Sequence, residues 1–176
     1  YPVFVDWEML GNIHHYFGKL GITGPAYIIT DSNVADIYGP IVQNALEKSG
    51  IQSQVFVVAA GESSKSLRTL QSIYGWLAEQ HCERENTIVA LGGGVIGDLA
   101  GFAAATFLRG LSLVQVPTSL AGMVDAAIGG KTAVNLDVGK NLVGSFYQPR
   151  AILADLDCLR TLPQRELAAG WAEAIK

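Results

Sequence analysis

Residues 87–98 constrain the fold more than any other segment, because they join a strand signal to a helix signal through three consecutive glycines. Residues 87–91 form a short apolar run rich in β-branched side chains, which predicts a buried strand. After the glycines, the apolar residues Leu99, Phe102, Ala103 and Phe107 recur at helical spacing. A glycine turn at a helix N-terminus can hold an anion, because the backbone approaches closely and the free N–H groups carry a positive dipole end.

Gly92, Gly94 and Gly97 also match the pattern Gly-x-Gly-x-x-Gly, but the context differs from the usual dinucleotide fingerprint. That fingerprint lies in the first βα unit and is followed after about 20 residues by an acidic residue. Here the loop lies in the middle of the chain, and the next predicted strand, residues 111–116, runs into Pro117 without a carboxylate. A standard Rossmann site is therefore not indicated, and a purely structural glycine turn stays an alternative.

Strand and helix signals alternate along most of the chain. We predict strands at residues 2–5, 26–30, 54–58, 87–91 and 111–116, and helices at 7–20, from Pro40 to Gly50, at 66–80 and after Asp98. This alternation predicts an α/β fold with a Rossmann-like, doubly wound, mainly parallel sheet and flanking helices. Ligands on such sheets bind at the carboxyl ends of strands, where the loops at 31, 60–65, 92–98 and 117–119 are expected to converge.

The composition is that of one compact domain and excludes several classes of partner. Of 176 residues, 49% are hydrophobic and 16% are charged, which suits a buried core and argues against disorder. The net charge of −4 argues against nucleic acid or a membrane surface as partner, and no apolar run is long enough to span a bilayer. Two widely spaced cysteines without a CxxC pair favour reduced structural thiols and a cytoplasmic location.

Residues 126–150 differ from the rest because they contain four glycines and show little periodicity. The segment contains three basic residues, Lys131, Lys140 and Arg150, and one acidic residue, Asp137. Its net charge is therefore +2, although the chain as a whole is acidic. The segment is either an anion site or an ordinary exposed loop. Its sequence Gly-Lys-Thr at 130–132 resembles the end of a P-loop. We reject that interpretation, because Asp125 stands where the first glycine of the motif belongs and no strand leads into it.

The end of the chain predicts a helix that begins near Thr161. The spacing of Thr161 and Gln164 fits a capping box, and Pro163 lies in the first turn. Its apolar face is expected to comprise Leu167, Trp171, Ala174 and Ile175, while Glu166 and Glu173 share another face. The chain stops within this helix, so we expect it to be a fragment.

Several segments together resemble one family, 3-dehydroquinate synthase, in order and spacing over nearly the whole chain. They are Gly61-Glu62-x-x-Lys65, residues 92–102 (GGGVIGDLAGF), 116–120 (VPTSL), 124–125 (VD), 129–135 (GGKTAVN), 139–149 (GKNLVGSFYQP), 157–163 (DCLRTLP) with Arg165-Glu166, and 170–176 (GWAEAIK). The resemblance implies an NAD-binding α/β domain over residues 1–160. Residues 161–176 would then begin a C-terminal helical domain whose remainder is absent.

The family resemblance also implies an activity, that of an NAD- and metal-dependent lyase of the shikimate pathway of aromatic amino acid biosynthesis. Its substrate would be 3-deoxy-D-arabino-heptulosonate 7-phosphate, and its products 3-dehydroquinate and phosphate. NAD would oxidise a substrate hydroxyl and acidify the neighbouring proton. Phosphate elimination, reduction of the ketone, ring opening and aldol closure would follow, so that NAD is restored. The full-length enzyme is expected to be a cytoplasmic homodimer, and the fragment alone to be inactive.

Residue by residue, the resemblance implies three sets of contacts. Cofactor contacts are expected from Asp31, Glu62, Lys65, Gly94, Val95, Ile96, Gly97, Asp98, Thr118, Ser119, Lys131, Lys140, Cys158, Leu159, Arg160 and Thr161. The catalytic, substrate-facing residues would be Asp125, Lys131, Asn141 and Lys176, since lysines and an amide suit a phosphate and a carboxylate.

The third set is a metal site. Glu173 would be one ligand of a divalent ion, zinc or cobalt, whose histidine ligands belong to the absent domain. His14, His15 and His81 match no such motif and are interpreted as structural or surface residues. One carboxylate does not complete a catalytic zinc site, which normally takes three protein ligands.

Three alternatives remain open on the sequence. Another sugar-phosphate cyclase, such as a deoxy-inosose or valiolone synthase, would share the cofactor domain. A metal-dependent polyol dehydrogenase of related architecture would release NADH, which a cyclase does not. A nucleotide-binding module without catalytic activity would recover no activity when supplied with the missing domain.

Overall fold

A computed structural model describes residues 1–175, and within them the chain forms eight strands and five α-helices. The strands are β1 (Val3–Asp6), β2 (Ala26–Asp31), β3 (Ser53–Val58), β4 (Thr87–Gly92), β5 (Ser112–Pro117), β6 (Lys131–Leu136), β7 (Gly139–Phe146) and β8 (Ala151–Asp155). The α-helices are α1 (Ile13–Leu20), α2 (Ala35–Glu47), α3 (Leu67–Glu79), α4 (Gly94–Thr106) and α5 (Gln164–Ile175). Short 3₁₀ helices and one π-helical turn, Gly122–Ala126, connect them. None of the described helices has both the length and the apolar character needed to cross a bilayer.

Six of the strands form one parallel sheet in the order β1-β8-β5-β4-β2-β3. From β2 the chain passes through α2 to β3 on one side, whereas from β4 it passes through α4 to β5 on the other side. The direction of winding therefore reverses between β2 and β4, and a crevice opens at their carboxyl ends, beside Asp31 and Gly92. This topology confirms the predicted doubly wound, parallel sheet and brings the four predicted loops to one edge.

Helices cover both faces of the sheet, so its central strands are buried on both sides. In β4, Val89 and Leu91 pack in the cluster that contains α1 and α2, while Ile88 and Ala90 pack in the cluster that contains α3 and α4. Alternate residues of a strand point to opposite faces, so a strand covered on both sides must be apolar throughout. The continuous apolar run at residues 87–91 has this cause.

Two predicted helix starts are wrong. The first helix begins at Ile13 and not at Trp7, because Glu8 has a φ of 57° and breaks the backbone before a short 3₁₀ turn. The second begins at Ala35, so that Pro40 lies inside it. The start is set by an Asx turn after β2, in which the N–H of Asn33 donates to Asp31 Oδ1 at 2.8 Å.

Residues 126–150 are not the irregular loop that their weak periodicity predicts, because most of them form the antiparallel hairpin of β6 and β7. We call residues 131–146 the hairpin. It packs on α4, where a Cβ on Gly101 would lie 2.5 Å from Thr132 Cγ2. Within the hairpin, a Cβ on Gly144 would lie 2.0 Å from the Thr132 carbonyl oxygen. The glycine that obscured the strand pattern is therefore required by close packing of the strands.

The last strand of the sheet, β8, was also not predicted from the sequence. It comprises only five residues, all buried, and pairs with β1 and β5. The final helix has a different contact face from the predicted one. Trp171 and Ile175 are exposed, and Gly170 is the buried residue, since a Cβ there would lie 2.5 Å from Leu120 Cβ.

Candidate functional site

The glycine loop lies at the centre of the crevice, where β4 passes into α4. Gly93 is the N-cap in an extended conformation, and α4 begins at Gly94. The first N–H groups of a helix have no partner within it, so this turn presents free donors at the positive end of the helix dipole. A Cβ on Gly94 would lie 3.1 Å from Ala126 Cβ, and one on Gly93 would lie 3.4 Å from Ser119 Oγ. The loop therefore offers a narrow cradle of backbone donors, and its donors and shape fit a phosphate group.

Gly97, the third glycine of the pattern, packs the helix against the sheet. It is buried, and a Cβ there would lie 3.0 Å from Gln115 Oε1. Gln115, which is 5% exposed, also donates from Nε2 to the Gly97 carbonyl at 3.1 Å. The sequence analysis missed Gln115, although a single amide in the apolar strand at 111–116 is a signal for a buried hydrogen bond. Any ligand contact of Ile96 or Gly97 would come from the backbone, because Ile96 is also buried.

Lys65 connects three elements in the crevice. Its ammonium pairs with Asp98 on α4 and donates to Asn141 Oδ1 on β7 at 2.5 Å. The Lys65 and Asp98 side chains are 6% and 19% exposed. Burial raises the pKa of Asp98 above its ordinary value, and the hydrogen bond and charge of Lys65 oppose this rise. The structure thus brings together three residues that the sequence predicted as separate contacts.

A second group of polar contacts joins Glu62 to the hairpin. Asn135 donates from Nδ2 to Glu62 Oε1 at 2.8 Å, and Lys140 Nζ lies 3.6 Å from the same oxygen. Asn135 also accepts from the N–H of Asn141 at 2.9 Å. Glu62, Asn135 and Lys140 line a groove of about 420 Å³ between residues 62–66 and the hairpin turn. Asn135 was not among the residues singled out from the sequence.

A cavity of about 470 Å³ lies between α4, the π-helical turn and the hairpin. It is lined in part by Asp98, Asp125, Lys131, Asn141 and Phe146. Lys131 Nζ lies 3.8 Å from Asp125 Oδ1, and both side chains are at least half exposed. This loose pair leaves both charges accessible to a ligand. Asp98 lies on the glycine-initiated helix and lines this cavity, so the cavity adjoins the N-terminal part of α4.

Backbone geometry places Lys131 at the mouth of the cavity. Gly129 and Gly130 precede it with φ values of 93° and 71°, which disfavour other residues. A Cβ on Gly130 would also lie 2.8 Å from the Gln148 side chain. The basic residues of segment 126–150 do not all lie at the cavity, however. Arg150 donates to the Leu20 carbonyl at 2.8 Å, at the opposite end of the sheet from the crevice.

The remaining predicted cofactor residues lie around the crevice on several elements. The N–H of Thr118 donates to the Gly92 carbonyl at 3.0 Å, and the Ser119 hydroxyl accepts from the N–H of Gly122 at 3.2 Å. Residues 158–161 lie beside α2, where the Tyr38 hydroxyl and Thr161 Oγ1 are 2.5 Å apart. Tyr38 was missed by the sequence analysis. Cys158 is 1% exposed, and its burial raises the pKa of its thiol to about 12.

The described residues do not complete a metal site. Among residues 1–175 there is no group of three or more His, Cys, Asp or Glu side chains close enough to hold an ion. Glu173 lies on α5, one turn beyond the contact of Gly170 with Leu120. His14 and His15 lie on α1, and His81 follows α3. Lys176, the remaining predicted substrate residue, lies outside the described residues.

A family model and the sequences of known proteins match this chain to the same family. A family model described as 3-dehydroquinate synthase N-terminal matches residues 55–169. The 3-dehydroquinate synthase of Symbiobacterium thermophilum is 49% identical over the whole chain, and that of Crocosphaera subtropica is 47% identical. The matches cover 49% and 48% of those proteins, so the chain spans about half the length of the curated relatives it matches.

The solved structures of two sugar-phosphate-type synthases superimpose closely on this chain. A 2-deoxy-scyllo-inosose synthase complexed with carbaglucose-6-phosphate, NAD+ and Co2+ superimposes with a TM-score of 0.91 at 31% identity, over 98% of this chain and 48% of that chain. A 2-epi-5-epi-valiolone synthase from Streptomyces hygroscopicus, with NAD+ and Zn2+ bound, superimposes at 0.89 with 32% identity, over the same fractions of the two chains. Glycerol dehydrogenase from Schizosaccharomyces pombe shares the fold at 23% identity and a TM-score of 0.76, over 99% of this chain and 42% of that chain.

Proposed function

The chain belongs to the 3-dehydroquinate synthase family, and we propose that it is the N-terminal, NAD-binding part of a longer enzyme of that activity. In this proposal residues 1–160 are the nucleotide-binding domain, and residues 161–176 begin a C-terminal helical domain. The complete enzyme converts 3-deoxy-D-arabino-heptulosonate 7-phosphate to 3-dehydroquinate and phosphate. We also expect it to act in the cytoplasm as a homodimer.

The observation that carries the proposal is that the charged cavity adjoins the glycine-initiated helix α4. Asp98 belongs to both, since it lies on α4 and lines the cavity beside Asp125, Lys131 and Asn141. An enzyme that moves a hydride between a cofactor and a sugar phosphate needs the two ligands side by side. A module that binds only a nucleotide has no use for the second, charged cavity.

NAD fits the crevice on the geometry of this chain. The glycine cradle and the first N–H groups of α4, at residues 94–96, suit the pyrophosphate, and carboxylates at strand ends suit ribose hydroxyls. We assign Asp31, Glu62 and Lys65 to the nucleotide, and Thr118, Ser119, Lys131, Lys140 and residues 158–161 to the rest of the cofactor. When bound, NAD would accept a hydride from the substrate and return it, so the reaction consumes none.

The substrate would occupy the charged cavity. Lys131 presents a compact ammonium that can pair with a phosphate or a carboxylate. The Asp125 carboxylate can accept hydrogen bonds from sugar hydroxyls, and the Asn141 amide can also donate to them. Lys176 is assigned to the same set on the family resemblance. Glu173 is proposed as one metal ligand, but residues 1–175 hold too few ligands to complete a site, so no step is derived through a metal here.

Turnover by the complete enzyme tests this function. It should release phosphate from 3-deoxy-D-arabino-heptulosonate 7-phosphate, require NAD, and accumulate no NADH. Lys131→Ala should lower kcat/KM by at least about a hundredfold, as expected for a charge-assisted contact worth roughly 3 kcal/mol. The affinity for NAD should fall far less than it does in Gly94→Val. Lys131→Arg should not rescue fully, because a planar guanidinium replaces a compact ammonium.

Three results would contradict parts of the proposal. Unchanged turnover in Lys131→Ala would refute the anion site and favour an ordinary exposed loop at residues 126–150. Net production of NADH from a polyol would favour a dehydrogenase. Turnover of a hexose 6-phosphate in place of the heptulosonate would favour the second candidate, a cyclase related to 2-deoxy-scyllo-inosose synthase, whose structure is similar over 98% of this chain.

A further inference from the structure

Asn135 lies at an irregularity of the hairpin. The strands pair from Lys131 with Phe146 to Val134 with Val143, and the register then shifts before Leu136 pairs with Gly139. Asn135 is thereby left out of the ladder, and its N–H donates instead to the Lys65 carbonyl at 2.8 Å. Such irregularities re-aim side chains and are common beside active sites. Here the irregularity joins the hairpin to the segment that carries Glu62 and Lys65.

Both polar atoms of the Asn135 side chain make hydrogen bonds. Its Nδ2 donates to Glu62 Oε1 at 2.8 Å, and its Oδ1 accepts from the Asn141 N–H at 2.9 Å. Asn141 has a φ of 58°, an uncommon conformation for a residue with a Cβ. The Asn141 side chain in turn contacts Lys65. One amide therefore holds Glu62 on one side and a strained residue of the cavity wall on the other.

We propose that Asn135 is a positioning residue that couples the nucleotide-facing Glu62 to the substrate-facing Asn141. The inference rests on the proposed function for the assignment of the two ligands. An amide suits this place because it donates and accepts at once. An aspartate would keep the acceptor for Asn141 but would lose the donor and repel the Glu62 carboxylate. Asn135→Asp and Asn135→Ala therefore separate the two contacts.

The contact with Asn141 is tested by hydrogen exchange of the Asn141 amide in the 176-residue chain. Asn135→Ala should accelerate this exchange by about tenfold or more, because the N–H loses its acceptor. Asn135→Asp should leave it protected. Asp137→Asn is the matched control, since Asp137 is exposed in the turn of the same hairpin and should leave the exchange unchanged. Circular dichroism establishes that each variant is folded.

The contact with Glu62 is tested by the affinity for NAD, measured by calorimetry on the same variants. Asn135→Asp and Asn135→Ala should each weaken binding by about tenfold, because Glu62 is no longer held in place. In a Glu62→Ala background, Asn135→Ala should have no further effect. A general loosening of the hairpin would weaken binding in both backgrounds, so the cycle distinguishes positioning from a merely structural role.

Each outcome is decisive for one of the two proposals. Failure of the unsubstituted chain to bind NAD would overturn the proposed function. Unchanged exchange of the Asn141 amide in a folded Asn135→Ala chain would overturn the role of Asn135, whether or not NAD binds. Equal loss of NAD affinity with and without Glu62 would also overturn it.

Discussion

Replacing Lys65 by methionine should destabilise the chain in a way that depends on pH. Methionine keeps most of the apolar stem but removes the ammonium, which leaves the buried Asp98 carboxylate without its cation. Loss of one partner of a buried ion pair costs about 3–5 kcal/mol. Asp98 is 19% exposed and so retains some hydration, which places the expected loss in the free energy of unfolding near the lower end, at about 3 kcal/mol.

The dependence on pH follows from the direction of the Asp98 pKa. Burial already raises this pKa above its ordinary value of 3.8, and Lys65 opposes the rise, so removal of Lys65 must raise it further. Where the folded pKa exceeds the unfolded one, the folded state binds more protons, and stability falls as pH rises through that window. As pH falls from neutral toward 3.8, Asp98 of the variant becomes neutral and the difference from the unsubstituted chain should shrink.

Urea denaturation, followed by tryptophan fluorescence at several pH values, measures this effect. The matched control is Lys140→Met, because Lys140 carries the same charge and pairs with Glu62 of the same loop as Lys65, but its side chain is 72% exposed. An exposed pair of this kind is worth less than about 1 kcal/mol, so the control should be nearly neutral. A loss in Lys65→Met below about 1 kcal/mol, or one that stays constant with pH, would refute the argument. In an Asp98→Asn background, Lys65→Met should lower the free energy of unfolding by less, since no buried carboxylate is then left without a cation.

Three further expectations concern cofactor, metal and thiols. Gly94→Val should weaken NAD binding by at least about a hundredfold in calorimetry, because a branched side chain fills the cradle. Gly75→Ala is the control and should leave NAD binding unchanged, since nothing lies within 4 Å of a Cβ added to this helical glycine. Dialysed chain should retain no stoichiometric zinc in elemental analysis, since Glu173 is the only proposed ligand; one tightly bound zinc per chain would contradict this. Cys82 and Cys158 should react with a thiol reagent only after unfolding, because burial raises their pKa values to about 11 and about 12; rapid labelling of the folded chain at neutral pH would show otherwise.

Five of the six strands of the sheet were predictable, because they are short apolar runs whose pattern is set by local burial, whereas β8 was not predicted. Residues 87–91 are apolar because helices cover both faces, and the strand ends are marked by Gly92, Pro117 and Asp31. Helix starts were less predictable, since the N-terminus of α2 is set by the Asx turn at Asp31 and not by Pro40. Local rules give the existence of an element more reliably than its ends.

The hairpin was not predictable from periodicity, because the identity of its residues depends on contacts with residues far away in the sequence. Gly144 is required by the carbonyl of Thr132, and Thr132 packs on Gly101 of α4. Asn135 is explained only by Glu62, Lys65 and Asn141. The family resemblance predicts many residues for the site, but it does not show which of them contact one another. That information depends on how the hairpin sits on the sheet.

Close packing at two glycines also explains how the site can be held rigid without bulky residues. A Cβ on Gly101 would collide with the Thr132 side chain, so the hairpin lies against α4 with little space between them, and a Cβ on Gly144 would collide with the Thr132 carbonyl, so the two strands of the hairpin also lie close together. Asp98 and Asn141 belong to these two elements, and both contact Lys65. Their separation is consequently limited by the packing of the hairpin on α4, and Lys65 lies between the Asp98 carboxylate and the Asn141 amide. Preorganisation of this kind reduces the cost of ordering charged groups when a ligand binds, which suits the charged ligand that we propose for this cavity.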